Sequence, residues 1–352
     1  MNQKAKFHVF KNRSAYFAGM LGAVVLGILF FLDSCVPPEQ PLIDIPDPSV
    51  QTIEIDVDGL SSHYYSLSQK KVVASNKIAD WDLRLCAQSD KYYVYLNTAK
   101  HMRIARYDGK FGDLVKVSMI KNWQSDIVKN GKDITAMGSW GDFSFTNPKS
   151  FGYTYILDMG YLNYLQEFGF RKIQVLGCSD NFYTIKYGAL DDPEGDTIQI
   201  EKKGDYNNLF VSLNKIGKVV EIEPPSASWD LNFTQFGLSQ LIIKDSVVVD
   251  TAYTWTDFIV FNNTQRQIAC DSFKTFDSIT FWDAENYNYS KTIDFIGNSW
   301  RSLVAQPSTF AITERRNFII KDNKNHIYKI EMIAIDKSNP NVSKISFRVK
   351  NL

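Results

Sequence analysis

The chain has 352 residues, 44% of them apolar, 22% charged and 14% aromatic. This is a globular composition, long enough for two ordinary domains or one large β domain. Its 39 Lys and Arg balance 39 Asp and Glu, with no long basic run or Lys/Arg stripe in the body of the chain, which argues against a nucleic-acid binder.

Residues 1–34 read as an export leader. Lys4, Lys6, Lys11 and Arg13 make a basic start, Tyr16 to Leu32 is an uncharged and mostly apolar run of 17 residues, and Leu32-Asp33-Ser34 leads into Cys35. A cysteine at the cut is the pattern of a bacterial lipoprotein, whose thiol takes up lipid and becomes the new N-terminus; Asp33 is uncommon there. The other reading is an uncleaved signal anchor, because 17 residues is the lower limit for crossing a bilayer. Residues 35–50 continue with Pro37, Pro38, Pro41, Pro46 and Pro48, a stiff tether between the lipidated Cys35 and a folded body. Acyl chains contribute roughly 0.8 kcal/mol per buried CH₂, so several hold a protein firmly. A membrane is therefore an expected partner. Val36 is not the acidic residue that marks inner-membrane retention in some bacteria, which favours the outer membrane or cell surface.

The body is written twice. "QTIEIDVDG" (51–59) parallels "DTIQIEKKG" (196–204), and Tyr65-Ser66-Leu67 parallels Val211-Ser212-Leu213. Lys71-Val72-Val73 parallels Lys218-Val219-Val220, and Trp81-Asp82-Leu83 parallels Trp229-Asp230-Leu231. Further on, "MGSW" (137–140) parallels "GNSW" (297–300), and "KIQVL" (172–176) parallels "KIEMI" (329–333). Matches in one order indicate a duplicated unit, here 51–194 and 195–352. The acidic, Pro- and Gly-containing "ALDDPEGD" (189–196) has the composition of a linker at that boundary.

Most segments read as strands. Ile53 to Val57 and Lys344 to Lys350 alternate with period two, and 317–335 reads as strand, polar turn, strand. A hairpin is also expected with its turn near Gly217. Short helices are expected at 119–129 and within 158–171. The fold class is thus all-β and mainly antiparallel, and the βαβ alternation of nucleotide-binding sheets is missing. In Trp-Asp-Leu the Trp and Leu fall on one face of a strand and the Asp on the other. Trp81 and Trp229 are therefore expected in the core, with Asp82 and Asp230 accepting hydrogen bonds from a nearby turn.

Beyond Cys35, three cysteines remain: Cys86, Cys178 and Cys270. They contain no C-x-x-C pair that would suggest zinc, and they are expected to be buried thiols, although Cys86 and Cys178 could form the single internal disulfide the count allows. No G-x-S-x-G, H-E-x-x-H, Walker loop or G-x-G-x-x-G is present, so the chain is not expected to be an enzyme.

The leader, then Tyr/Val-Ser-Leu, Lys-Val-Val and Trp-Asp-Leu in order, and the C-terminal "FIIKD", "YKIEMI" and "KISF" together resemble the HmuY family, here as two tandem copies. That resemblance implies an all-β, surface-displayed lipoprotein of Bacteroidetes-like bacteria that binds haem between two axial His or Met side chains and passes it to an outer-membrane receptor. Haem iron accepts His or Met ligands within an apolar pocket. The second copy has no His or Met between Trp229 and His326, and His326 lies in a polar turn. The haem-ligand candidates are therefore His101, Met102, Met119, Met137 and Met159 of the first copy, and no metal other than haem iron is expected. In the alternative reading the chain is a non-haem binding or adhesion lipoprotein for a glycan, a peptide or a partner membrane protein, with aromatic segments such as 92–95, 253–255 and 287–289 as its surface. Met then fills core gaps and His101 is solvated.

Overall fold

A computed structural model describes residues 49–352 apart from 130–131, 163–165, 215–216, 245–246, 305–308 and 339–341. The leader, Cys35 and nearly all of the proline tether lie outside the described residues, as do the side chains of Tyr253 and Trp255. No helix among the described residues is long and apolar enough to cross a membrane.

The strands form two copies of the same pair of sheets. One five-stranded sheet runs Gln51–Val57, Ser343–Asn351, Ile327–Asp336, Asn317–Lys321, Gln267–Asp271 in spatial order. Its counterpart runs Asp196–Glu201, Phe182–Gly188, Phe170–Cys178, Thr154–Asp158, Arg103–Tyr107. Every pairing in both is antiparallel. Both sheets slip register at equivalent places, between Val175 and Gly177 and between Met332 and Ala334. The alternation seen in sequence explains the inner faces: Ile55 and Val57 are buried while Glu54 and Asp56 point outward, and Ile345, Phe347 and Val349 line the same core.

Two four-stranded sheets complete the pattern, and each takes two strands from each repeat. Ser61–Ser66 and Lys71–Lys77 join Leu231–Lys244 and Val247–Asn262, whereas Asn208–Ser212 and Lys218–Val220 join Leu83–Cys86 and Val94–Leu96. Each repeat therefore gives its first three strands to the other. Ile200, Leu209, Val211 and Leu213 pack in the core with Leu83, Ile104 and Ile173. Ile55, Val57, Tyr65 and Leu67 pack with Leu231, Val260 and Ile330. The repeat boundary at 194/195 belongs to the sequence; the hydrogen bonds divide the strands near Trp81 and Trp229.

The all-β reading holds, and so do both expected hairpins. The two expected helices do not form. Residues 117–119 make only a 3₁₀ turn, and Ile127–Lys129 is a strand. In 158–171 a small hairpin pairs Tyr161–Leu162 with Gln166–Glu167, flanked by Gly160 and Gly169 at φ 69° and 74°. Those left-handed glycines interrupt a helix and suit a turn. The one α-helix among the described residues, Phe281–Glu285, is capped by Thr280, whose hydroxyl accepts from the Asp283 N–H. Cys86, Cys178 and Cys270 are free thiols, the first two buried.

Candidate functional site

The two Trp-Asp-Leu phrases are clasps between the repeats. Asp82 is fully buried; it accepts the Leu213 N–H at 2.6 Å and pairs with the Lys100 ammonium. Asp230 accepts the Leu67 N–H at 2.6 Å and the Arg266 Nε–H at 2.5 Å. Leu67 and Leu213 are the equivalent residues of Tyr-Ser-Leu and Val-Ser-Leu, so each aspartate secures a strand end of the opposite repeat. The Asn97 amide donates to the Ile78 and Trp81 carbonyls, and the Asn263 amide to those of Ser226 and Trp229. Burial lowers the Lys100 pKa against the opposing pull of Asp82, and the ammonium also lies 4.2 Å from the Phe168 ring centroid. The expected acceptor role of the aspartates is correct, but their backbone donors come from the other repeat, while the cations Lys100 and Arg266 come from the same one.

Asn97-Thr98-x-Lys100 and Asn263-Thr264-x-Arg266 complete these clasps, and the sequence reading passed over them. Their signal is an Asn-Thr-x-(Lys/Arg) phrase in the strand-end after Trp-Asp-Leu; the unequal spacing, short in the first repeat and long in the second, hides the match. Gly160 and Gly237 hold the Thr98–Lys100 turn closely. A Cβ on either would sit 1.8 Å from the Lys100 or Thr98 carbonyl oxygen, so only glycine fits.

A cavity of about 130 Å³ lies between the clasps. Its walls include two edge-to-face aromatic pairs, Trp81 with Phe210 and Tyr64 with Trp229, each with centroids 5.0 Å apart. Arg84, Glu223, Asn232 and Asn262 also line it. Glu223 accepts the Asn207 N–H at 3.0 Å and an Asn208 amide N–H at 2.7 Å. Burial pushes its pKa up to about 7, against these hydrogen bonds and the Arg84 charge, so the carboxyl titrates near neutrality. Burial likewise keeps Tyr64 a neutral phenol.

A second, polar groove of about 350 Å³ opens on the first repeat, lined by Arg106, Lys121, Gln124, Met137, Tyr153 and Tyr155, among others. The Arg106 guanidinium stacks 4.8 Å from the Tyr153 ring centroid, and burial raises the Tyr155 pKa to about 12.

Of the five haem-ligand candidates, Met137 alone lines this groove. Met102, Met137 and Met159 share one core cluster, each no more than 4% exposed, and of these only Met137 lines the groove. Met119 is 60% exposed, two residues before Lys121. His101 has left-handed φ 54° and stacks on Tyr161 with centroids 5.0 Å apart. It is buried, not solvated, and burial lowers its pKa to about 4, so the imidazole stays neutral. His326 is exposed and hydrogen-bonded to Asp322 at 2.9 Å, as the polar turn suggests. Among the described residues no three His, Cys, Asp or Glu side chains gather to hold a metal ion.

The family profile described as HmuY protein matches residues 61–348. The chain belongs to the HmuY family. One profile crosses both repeats, and the matched span runs from the second of the exchanged strands, which begins at Ser61, into the strand Ser343–Asn351. No curated protein matches it. Among solved structures, apo PinO from Porphyromonas gingivitis shares 10% identity over 87% of this chain and 98% of its own, with a TM-score of 0.25. The apo HmuY analog (TFO) of Tannerella forsythia shares 8% identity over 86% of this chain and 96% of its own, with a TM-score of 0.24.

Proposed function

We propose that this HmuY-family chain is an exported binding protein, anchored through lipid on Cys35 at the outer membrane or cell surface, that captures haem and hands it to an outer-membrane receptor. The observation that carries the haem reading is the groove, where one of the five candidate ligands, Met137, lies beside two cations and two tyrosines. At about 350 Å³ it falls within the usual size of small-molecule sites, which the inter-repeat cavity does not. Met137 would be the thioether offered to the iron, with Met119, two residues before Lys121, as the second candidate; Arg106 and Lys121 would suit the propionates and Tyr153 a ring face. Met102 and Met159 are packed in the core and serve its filling.

Haemin titration of the purified protein tests this. The expected result is a Soret shift at micromolar haemin that is lost in Met137→Ala with Met119→Ala and kept in His326→Ala. An unshifted spectrum, or a shift that survives the double change, overturns the reading. Mass spectrometry of membrane fractions tests the anchor: acyl mass on Cys35 is expected, and Cys35→Ser should release the protein.

A different observation favours the adhesion or partner-binding reading. Phe273 is 90% exposed, Trp282 77% and Phe281 44%, and large exposed apolar side chains that neighbour in sequence suit a binding surface. A chain that ignores haemin but loses attachment to cells or glycans on Phe273→Ser with Trp282→Ser would place this reading first.

A further inference from the structure

At one twin position in the lining of the cavity between the clasps, one repeat carries a polar side chain where the other carries an apolar one, and the fold does not require that difference. In the first repeat Leu83 of Trp-Asp-Leu sits opposite Leu96, and in the second Leu231 sits opposite Asn262. Leu96 and Asn262 are thus the same position, and both face the cavity. Leu96 is an ordinary buried apolar residue. Asn262 is 2% exposed, and neither its amide nitrogen nor its amide oxygen has a hydrogen-bond partner among the described residues. The Asn232 side-chain oxygen and Trp229 Nε1 on the same wall also lack one. Buried polar atoms are nearly always hydrogen-bonded. Leaving a donor and an acceptor of one amide unmet, where leucine serves the twin position, disfavours the folded state unless something else meets them.

We infer that this cavity is a binding site for a small neutral molecule, one ring in size, that presents a hydrogen-bond donor and acceptor side by side, as a lactam or a carboxamide does. The Asn262 amide carries the complementary acceptor and donor and pairs with that edge in two parallel hydrogen bonds. Trp229 Nε1 is a further donor for the second lone pair of the ligand's carbonyl oxygen, and the Asn232 oxygen is a further acceptor for a ligand that carries a second donor. The rings of Trp81, Phe210, Tyr64 and Trp229 supply the apolar walls. Size sets the limit of one ring, because a cavity of about 150 Å³ holds benzene and this one measures about 130 Å³. Arg84 and Glu223 bring opposite charges to the lining, which suits a neutral ligand. The site is separate from the groove beside Met137 and does not depend on haem.

The test uses 2-pyridone, a one-ring lactam, with benzene as the apolar control, on the full chain by ligand-observed NMR and thermal melting. Saturable 2-pyridone binding is expected, at least about tenfold tighter than benzene. Asn262→Leu, which copies the twin position, should weaken 2-pyridone at least about tenfold and raise the ligand-free melting temperature by several degrees. Trp229→Phe keeps the ring and removes the N–H, and should weaken 2-pyridone without abolishing it; it carries the test if Asn262→Leu does not fold. No saturable 2-pyridone binding at millimolar concentration, binding indifferent to both substitutions, or a lower melting temperature for a folded Asn262→Leu would overturn the inference and leave Asn262 as a structural group met by water. The Soret titration reads the other site, so either reading can fail alone.

Discussion

Two walls of one cavity show how the repeats have parted. On the first, Trp-Asp-Leu is followed by Arg84 and faces Leu96; on the second, the same phrase is followed by Asn232 and faces Asn262. The strand Lys71–Lys77 carries Asn76 five residues after its opening lysine, where the second repeat carries Glu223 five residues after Lys218. The clasps themselves hardly differ: aspartate, cation and asparagine recur with the same partners. Conservation of the clasp with divergence around it separates what the fold needs from what is free to acquire a ligand.

The largest test of this comparison divides the chain. We propose that 51–194 and 195–352 are two copies of one repeat, yet a fragment cut at that boundary lacks the partners of its first three strands. Residues 51–194 alone should give a disordered circular-dichroism and NMR signature, whereas 81–222, which contains one seven-stranded and one four-stranded sheet, should fold. A folded 51–194 would show that strand exchange is dispensable.

Removing one clasp comes next. Asp82→Ala leaves the fully buried Lys100 ammonium and the Leu213 N–H unmet, and should cost about 3–5 kcal/mol by urea denaturation. Asp230→Ala should cost less, because Arg266 still donates to the Trp229 carbonyl at 3.1 Å. Equal losses would mean that the two clasps are interchangeable.

The pH dependence separates the repeats by sign. Folded Glu223, with its pKa raised from 4.5 to about 7, keeps a proton that the unfolded chain has released. It therefore lowers stability as pH rises through that window, by about 2–3 kcal/mol in all. His101, with its pKa lowered from 6.5 to about 4, refuses a proton that the unfolded chain takes up. Its contribution is full above 6.5 and is lost as pH falls towards about 4, again by about 2–3 kcal/mol. Between 4.5 and 6.5 the two oppose each other. Glu223→Gln should thus leave stability rising with pH across that range, and His101→Gln should leave it falling. Parallel profiles would refute the assignment. Smallest of all, Phe273→Ser should change stability by no more than about 0.5 kcal/mol, since that ring is almost wholly exposed.

Much of this was legible in the residues. Period-two alternation at 51–57 and 344–350 gives the strands and their inner faces. Strand exchange was not legible, because alternation says which face a strand buries and not which repeat supplies the neighbour. The two missing helices came from apolar runs too short to distinguish periods, interrupted by left-handed residues that only the fold reveals, Asn122 at φ 58° in the first and Gly160 and Gly169 in the second. Of the site, Met137 was visible as a residue type, but Asn262 was not: an asparagine in a strand becomes notable only when its twin proves to be leucine and its amide proves to be sealed in.

The pairing of Gln51–Val57 with Ser343–Asn351 bears on the order in which the molecule can be assembled. Glu54 meets Lys344 across 290 residues, so the first strand to be synthesised must wait for the last. Contacts so distant in sequence slow folding, because the loop must close before the ladder rewards it. Until then the Ser343–Asn351 strand lacks its outer neighbour, and this sheet is finished by the pairing of its two most distant strands in sequence.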